Sequence, residues 1–166
     1  MKTIYFNRHA KSDWSNTGLS DFDRPLNSRG LRDAPTMGKR LKSREEVIDL
    51  FVSSPANRAI NTARTMAGEY GYPLEKIVEI KDLYLPSVRD FLQAISQLDN
   101  AHTSIILFAH NPGITEIVEY LTNDYIGNMP TCGIAKIEFQ SANSWNEISG
   151  GTGKLVFFDY PKNDFE

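Results

Sequence analysis

The stretch Lys2-Thr3-Ile4-Tyr5-Phe6-Asn7-Arg8-His9-Ala10 decides the reading of the fold. Thr3 to Phe6 is a short apolar run that reads as a first strand over residues 2–7, and Arg8-His9-Ala10 closes it. A cation and a titratable nucleophile therefore arrive together at a strand's carboxyl end, which suggests a phosphate site. The same geometry recurs further on, where the run Thr103 to Ala109 delivers His110 into Asn111-Pro112-Gly113, ahead of a helical pattern. Between the two, Leu50-Phe51-Val52-Ser53-Ser54 ends in Pro55-Ala56-Asn57-Arg58 as a helix opens. In an open α/β sheet, ligands bind outside the carboxyl ends of the strands. His9, His110 and Arg58, carried there by different strands, are expected to converge.

Outward from these three points, strands are predicted near residues 2–7, 48–53, 77–80, 103–109, 133–139 and 154–159, and helices near 28–43, 56–70, 87–98 and 113–123. The alternation of the first five strands with the helices predicts a layered α/β fold with a mainly parallel sheet. Gly133–Phe139 and Lys154–Tyr160 flank a polar, glycine-rich segment from Ser141 to Gly153 that reads as a hairpin-type or irregular excursion. Asn27 or Ser28 is the expected cap of the first helix, with Pro35 expected to kink it or to move its start. Lys11 to Pro25 is poor in apolar residues and rich in turn formers; a loop of that length in a compact domain is usually functional. It follows His9 directly and is expected to wall the site.

With 166 residues the chain reads as one domain, 1–166, able to bury about two thirds of its unfolded surface. Cys132 is the only cysteine and cannot form an internal disulfide, no apolar run approaches a membrane span, and the amino terminus lacks the form of a signal peptide. The expected location is the cytoplasm. Lys and Arg total 18 against 21 Asp and Glu, with the cations scattered, which excludes the basic footprint of a nucleic-acid binder. A monomer is expected.

Phosphoryl transfer needs cations around the equatorial oxygens and an in-line nucleophile. Arg8 and Arg58 suit planar bidentate contacts. His9 can be the nucleophile if its ring is neutral and its second nitrogen is held by a hydrogen bond. His110 would be a cationic or hydrogen-bonding partner of the same phosphate, and the helix openings after Ser54 and His110 would add backbone N–H groups. Each residue also has a plainer explanation: a surface ion pair for either arginine, a structural histidine for His110, a helix cap for Ser54, a turn former for Asn111. All four main residues at strand ends make independent plain explanations improbable together. His102, in the turn Asp99-Asn100-Ala101-His102, is assigned to solvent. Three histidines and one cysteine without short ligand spacing give no support to a metal site.

In order and spacing, Arg8-His9-Ala10-Lys11-Ser12-Asp13-Trp14, Asp23-Arg24-Pro25-Leu26 with Arg29-Gly30, Ser53 to Ala59 with Thr62-Ala63, and His110-Asn111-Pro112-Gly113 resemble the histidine phosphatase superfamily. Within it the chain looks like the small SixA-type phosphohistidine phosphatases, over nearly its whole length. The resemblance implies a three-layer α/β/α fold of the phosphoglycerate mutase-like kind, phosphorylation of His9, a phosphoryl group held by Arg8, Arg58 and His110, and no metal or organic cofactor. Ser12, Asn111 and Asp21 are the further residues expected to contact substrate. The chain departs from the larger family at Ala10, where a glycine is usual, and at Ser15, where the mutase-like members carry asparagine. It also lacks the family's usual glutamate in Lys81-Asp82-Leu83-Tyr84-Leu85-Pro86-Ser87, so Asp82 and Asp21 are the candidates for a general acid. The expected activity is dephosphorylation of protein phosphohistidine, with a small phosphomonoester as the alternative substrate and a phosphate-binding module without turnover as the alternative of another class.

Overall fold

The computed structural model describes residues 1–163. Its elements run β1 (Lys2–Arg8), α1 (Ser28–Ser43), β2 (Leu50–Ser53), α2 (Asn57–Tyr70), β3 (Val78–Glu79), α3 (Val88–Ser96), β4 (Ser104–Ala109), α4 (Gly113–Thr122), β5 (Ile134–Phe139) and β6 (Lys154–Asp159). The strands form one sheet in the order β3-β2-β4-β1-β5-β6. β1, β2, β3 and β4 pair in parallel, whereas β5 runs antiparallel to β1 and β6 antiparallel to β5. The mainly parallel, mixed sheet is thus the one the alternating pattern predicts.

The central strands are apolar at almost every position because helices cover both faces. Ile4, Phe6, Val52, Ile105 and Leu107 face a core shared with Phe91, Ile95, Ile114 and Ile117 of α3 and α4. Tyr5, Phe51, Ile106 and Phe108 face a second core built with Met37 and Leu41 of α1 and Met66 of α2. Three layers result. The parallel register matters for the site: Arg8 lies beside Ala109 and Ser53 beside Phe108, so the carboxyl ends of β1, β2 and β4 are level and release His9, Ser54 and His110 side by side. No helix among the described residues is long and apolar enough to cross a membrane.

Two local expectations are corrected. Pro35 neither delays nor divides α1, which is assigned as one helix from Ser28 to Ser43. The Asn27 side chain fixes the start by accepting from Gly30 N at 2.9 Å, and buried Ala34, Met37 and Leu41 hold the helix down beyond it. The carbonyl that Pro35 leaves without its helical donor belongs to Leu31, on the solvent face, where water can satisfy it. The third strand is reduced to exposed Val78–Glu79 at the sheet edge. The Ser141–Gly153 excursion between β5 and β6 buries Trp145, whose indole N–H donates to Asp99 O at 3.1 Å.

α1 also fixes the loop that follows His9. A Cβ on Gly30 would sit 2.3 Å from Lys11 O, so only glycine lets the helix touch that backbone. Replacing a helical glycine by alanine normally gains up to about 1 kcal/mol. Overpacking against a backbone carbonyl costs about 1–3 kcal/mol, so Gly30→Ala is expected to be net destabilising, with a lower urea midpoint and an unchanged m-value.

Candidate active site

β1 ends in a pair of opposed side chains. Arg8 and His9 both reach a cleft of about 280 Å³ that is also lined by Lys11, Ser12, Trp14, Asp21, Arg24, Arg58, Leu85, His110, Asn111 and Thr131. His9 is held by its backbone on both sides: its N–H donates to Ala109 O at 3.1 Å, and its carbonyl accepts from Cys132 N at 2.9 Å. Cys132 itself adopts φ +60°, its thiol buried, and burial pushes that thiol's pKa far up.

The state of the His9 ring follows from its contacts. Nδ1 lies 2.7 Å from Ala10 O. A carbonyl can only accept, so Nδ1 carries the hydrogen and Nε2 presents its lone pair. Arg58 Nε approaches that lone pair at 3.4 Å. Burial pushes the His9 pKa down to about 3, with Arg58, Arg8 and Arg24 adding to the effect and the bond to Ala10 opposing it. The ring is therefore neutral across the physiological range, with the lone pair on Nε2 free.

His110 stands beside it, with ring centroids 5.2 Å apart. Its Nε2 contacts Ser54 Oγ at 2.8 Å, and Ser54 Oγ accepts from Ala56 N at 3.2 Å. With the Ser54 hydroxyl donating to Nε2, His110 Nδ1 becomes the N–H. That Nδ1 is buried and has no partner, as are Arg8 Nε and Arg24 Nε. Buried polar atoms without partners are uncommon; three in one cleft, on two cations and an imidazole, form a set of donors suited to an anion. Burial, then His9 and Arg58, push the His110 pKa down to about 2, so of the two roles expected for it the hydrogen-bonding one fits the free protein.

Arg58 comes from the first turn of α2 and is buried. It donates from Nη1 to Asp21 O at 2.6 Å and from Nη2 to Asp21 Oδ2 at 3.0 Å. Asp21 also pairs with Arg24 and accepts from Tyr84 OH at 2.5 Å. Burial would raise the Asp21 pKa, but Tyr84, Arg58 and Arg24 outweigh it and hold it near about 2. Arg24 lies flat on Trp14, its guanidinium carbon 3.4 Å from the ring centre. The loop from Lys11 to Pro25 does wall the cleft, through five of its residues.

Other expected residues are placed differently. Asn111 lines the cleft, but its amide donates to Asn128 Oδ1 and Met129 O and its oxygen accepts from Thr115, which makes it a brace for the 128–129 loop. Ser12 is buried at the cleft wall, beside a bridge to Leu26. Asp82 is exposed and outside the lining. His102 is half-buried at the opposite end of β4, its carbonyl accepting from Lys2. At the opening of α2, Asn57 N donates to Phe22 O and Ala59 N to Ala56 O, so these two amides are not among the expected N–H groups. Ser54 is not a helix cap; it serves His110 instead. Tyr84 was not singled out by sequence, since an aromatic in Leu-Tyr-Leu-Pro reads as core. Its ring packs edge-on against His110, centroids 5.4 Å apart.

The model of the histidine phosphatase superfamily (branch 1) matches residues 4–89. An uncharacterised chloroplastic protein of Arabidopsis thaliana is 30% identical over 154 residues, covering 88% of this chain and 70% of that one. A crystal structure assigned as phosphohistidine phosphatase SixA from Agrobacterium tumefaciens superimposes with a TM-score of 0.79 at 26% identity, covering 96% of this chain and 98% of that one. The fold is shared as well with protein histidine phosphatase SixA complexed with tungstate, at a TM-score of 0.80 and 21% identity over 97% and 98% of the two chains.

The two buried rings make stability depend on pH. Their folded pKa values, about 3 and about 2, lie below the ordinary imidazole value, so below about pH 6.5 the unfolded chain binds protons that the folded one refuses. The stabilisation is complete above that pH and is lost as pH falls. Urea unfolding between pH 6 and 5 is expected to lose up to about 2.7 kcal/mol per pH unit from the pair, at about 1.36 kcal/mol for each proton. His9→Gln should remove about half of that slope.

Proposed function

The chain belongs to the histidine phosphatase superfamily, and we propose that it is a metal-independent phosphatase in which His9 accepts the phosphoryl group, with protein-borne phosphohistidine as its substrate. The observation that carries this reading is the lone pair on His9 Nε2, its tautomer locked by Ala10 O, facing a cleft with unpartnered donors on Arg8, Arg24 and His110.

In the first step Nε2 attacks phosphorus, the Nε2–P bond forms, and the bond to the leaving group breaks with its electron pair. Arg8 and Arg58 take the equatorial oxygens and His110 Nδ1 donates to a third position. The Ala10 carbonyl carries the imidazolium-like charge that develops on the ring. In the second step water attacks phosphorus, Nε2–P breaks, and inorganic phosphate leaves with His9 again neutral. The protein's work is positioning and charge stabilisation.

The substrate class follows from the acid. Asp21 is the carboxylate at the cleft, and with its pKa near about 2 it is ionised in the free site and has no proton to give. A phosphoramidate can be protonated on its own leaving nitrogen; an alkyl ester cannot. The low cleft rim, with exposed Trp14 and Leu85, also suits a protein surface. A small phosphomonoester could use the same donors, and the two readings separate by comparing turnover of a phosphohistidine protein with that of sugar and nucleotide monophosphates. A binding module without turnover is separated from both by any hydrolysis of an aryl phosphate.

Rapid quench with labelled substrate is expected to give an acid-labile, alkali-stable adduct on the peptide containing His9; an adduct on Ser12, Ser54 or Cys132 would overturn the assignment. Arg58→Ala should lower kcat by about 10² to 10³ while remaining folded, and activity should persist in excess chelator. For a series of phosphate esters, log rate should fall steeply with leaving-group pKa, because a positioned acid worth about 10² to 10⁴ is lacking. A flat series would mean that a proton donor operates.

A further inference from the structure

Arg58 has no uncommitted nitrogen. Nε faces His9, Nη1 holds the Asp21 carbonyl and Nη2 the Asp21 carboxylate, and the same carboxylate takes Arg24 with its other oxygen. A carboxylate offers a guanidinium the same pair of acceptor oxygens that a phosphoryl group does. Asp21 therefore sits on two of the cations that a phosphoryl group on His9 would need. The partners differ in mobility. The arginine side chains are 4% and 10% exposed, whereas that of Asp21 is 42% exposed, on a loop whose regular pairing is the single bridge Ser12–Leu26. The backbone there is pinned, Asp21 O by Arg58 and Phe22 O by Asn57 N, so of the three groups it is the exposed carboxylate that can give way, by rotation of its side chain. Tyr84 OH holds its Oδ2 from the side, and the Tyr84 ring packs edge-on against His110, centroids 5.4 Å apart, and against Phe22, 5.1 Å apart.

We propose that Asp21 is a specificity-determining internal anion, occupying Arg24 and Arg58 until a phosphoryl dianion displaces it, and that Tyr84 is the positioning residue that keeps the displaced carboxylate at the rim. This rests on the cleft being a phosphate site. Binding is then an exchange of one anion for another, so the buried guanidinium of Arg58 is never left without a counter-charge. A dianion also engages the unpartnered donors of Arg8 and His110, which offsets the eviction of a carboxylate. A monoanionic carboxylate gains nothing by replacing another, and the site rejects it. Two variants of opposite expected sign follow. Without the Asp21 charge both arginines are open to any anion; without the Tyr84 hydroxyl the displaced carboxylate has lost its resting partner and competes harder.

The test is calorimetric titration of the whole protein with inorganic phosphate and with formate at pH 8, with aryl phosphate turnover measured on the same samples. Asp21→Asn and Asp21→Ala are expected to bind phosphate at least tenfold more tightly than wild type, and formate should compete with phosphate at millimolar concentration in the variants only. Asp23→Asn, which removes the same charge from a neighbouring residue, should change phosphate binding less than threefold. Tyr84→Phe should weaken phosphate binding, and the double variant Asp21→Asn/Tyr84→Phe should match Asp21→Asn, because Tyr84 acts through Asp21. Unchanged or weaker phosphate binding in both Asp21 variants, or equal tightening in Asp23→Asn, would overturn the proposal. If wild type binds phosphate and hydrolyses the ester while the Asp21 variants bind no tighter, this proposal alone falls. If the anion exchange appears but no ester is hydrolysed, the phosphatase reading alone falls.

Discussion

Burying three guanidinium groups around an uncharged imidazole is the constraint on which the rest of this site depends. Cations brought together out of water repel one another and cannot shed their charge. Part of the relief comes from backbone: Met129 O takes Arg8, and Asp21 O takes Arg58. Part comes from the face of Trp14 under Arg24, and part from one carboxylate. What remains unsatisfied among these groups, one nitrogen each on Arg8, Arg24 and His110, belongs to residues lining the same cleft. Burial keeps His9 unprotonated and the same positive field adds to it, so the charge that suits an anion also favours a free lone pair on the ring.

The sheet makes this affordable in geometry. β1 lies between β4 and β5 and pairs along its length with both, so Arg8 and His9 leave a strand whose every neighbour is fixed. His9 is then stitched to β4 through Ala109 and to the segment before β5 through Cys132. Ala10 N donates to Thr62 Oγ1 at 3.0 Å, which anchors the next residue to α2. A ring attached to a backbone held at three points keeps its Nε2 within a narrow range, as displacement chemistry at phosphorus requires.

Much of this was legible in the chain because strand ends are. An uninterrupted apolar run must end where the sheet ends, and whatever follows, here His9, Ser54 and His110, must stand at its rim. Patterns local in sequence carried the helices too, with Asn27 as a cap. What the sequence hid lies in tertiary pairings. Asp21 meets Arg58 across 37 residues and Tyr84 across 63, and no local period reports such distances. Ser54 looks like a helix cap because a hydroxyl just ahead of a helix reads as one; the cap position is Ala56, and only the neighbouring strand shows that Ser54 serves His110. Asn111 resembles a ligand contact because it follows His110, yet its bonds run to the 128–129 loop and to Thr115. Pro35 misled in the other direction, since helix-breaking tendency yields when a cap before it and a buried face beyond it fix the same helix.

The placement of Cys132 has a bearing on the conditions this protein can tolerate. Oxidants attack thiolates that are exposed and ionised. Here the single thiol of the chain is buried, and its pKa is displaced far upward. It contributes a backbone N–H to His9 and nothing from its side chain to the cleft. Peroxide or a disulfide-forming stress therefore finds no accessible thiol to modify at the site, and with the proposed imidazole nucleophile dephosphorylation would continue through a redox insult that stops enzymes whose nucleophile is a cysteine.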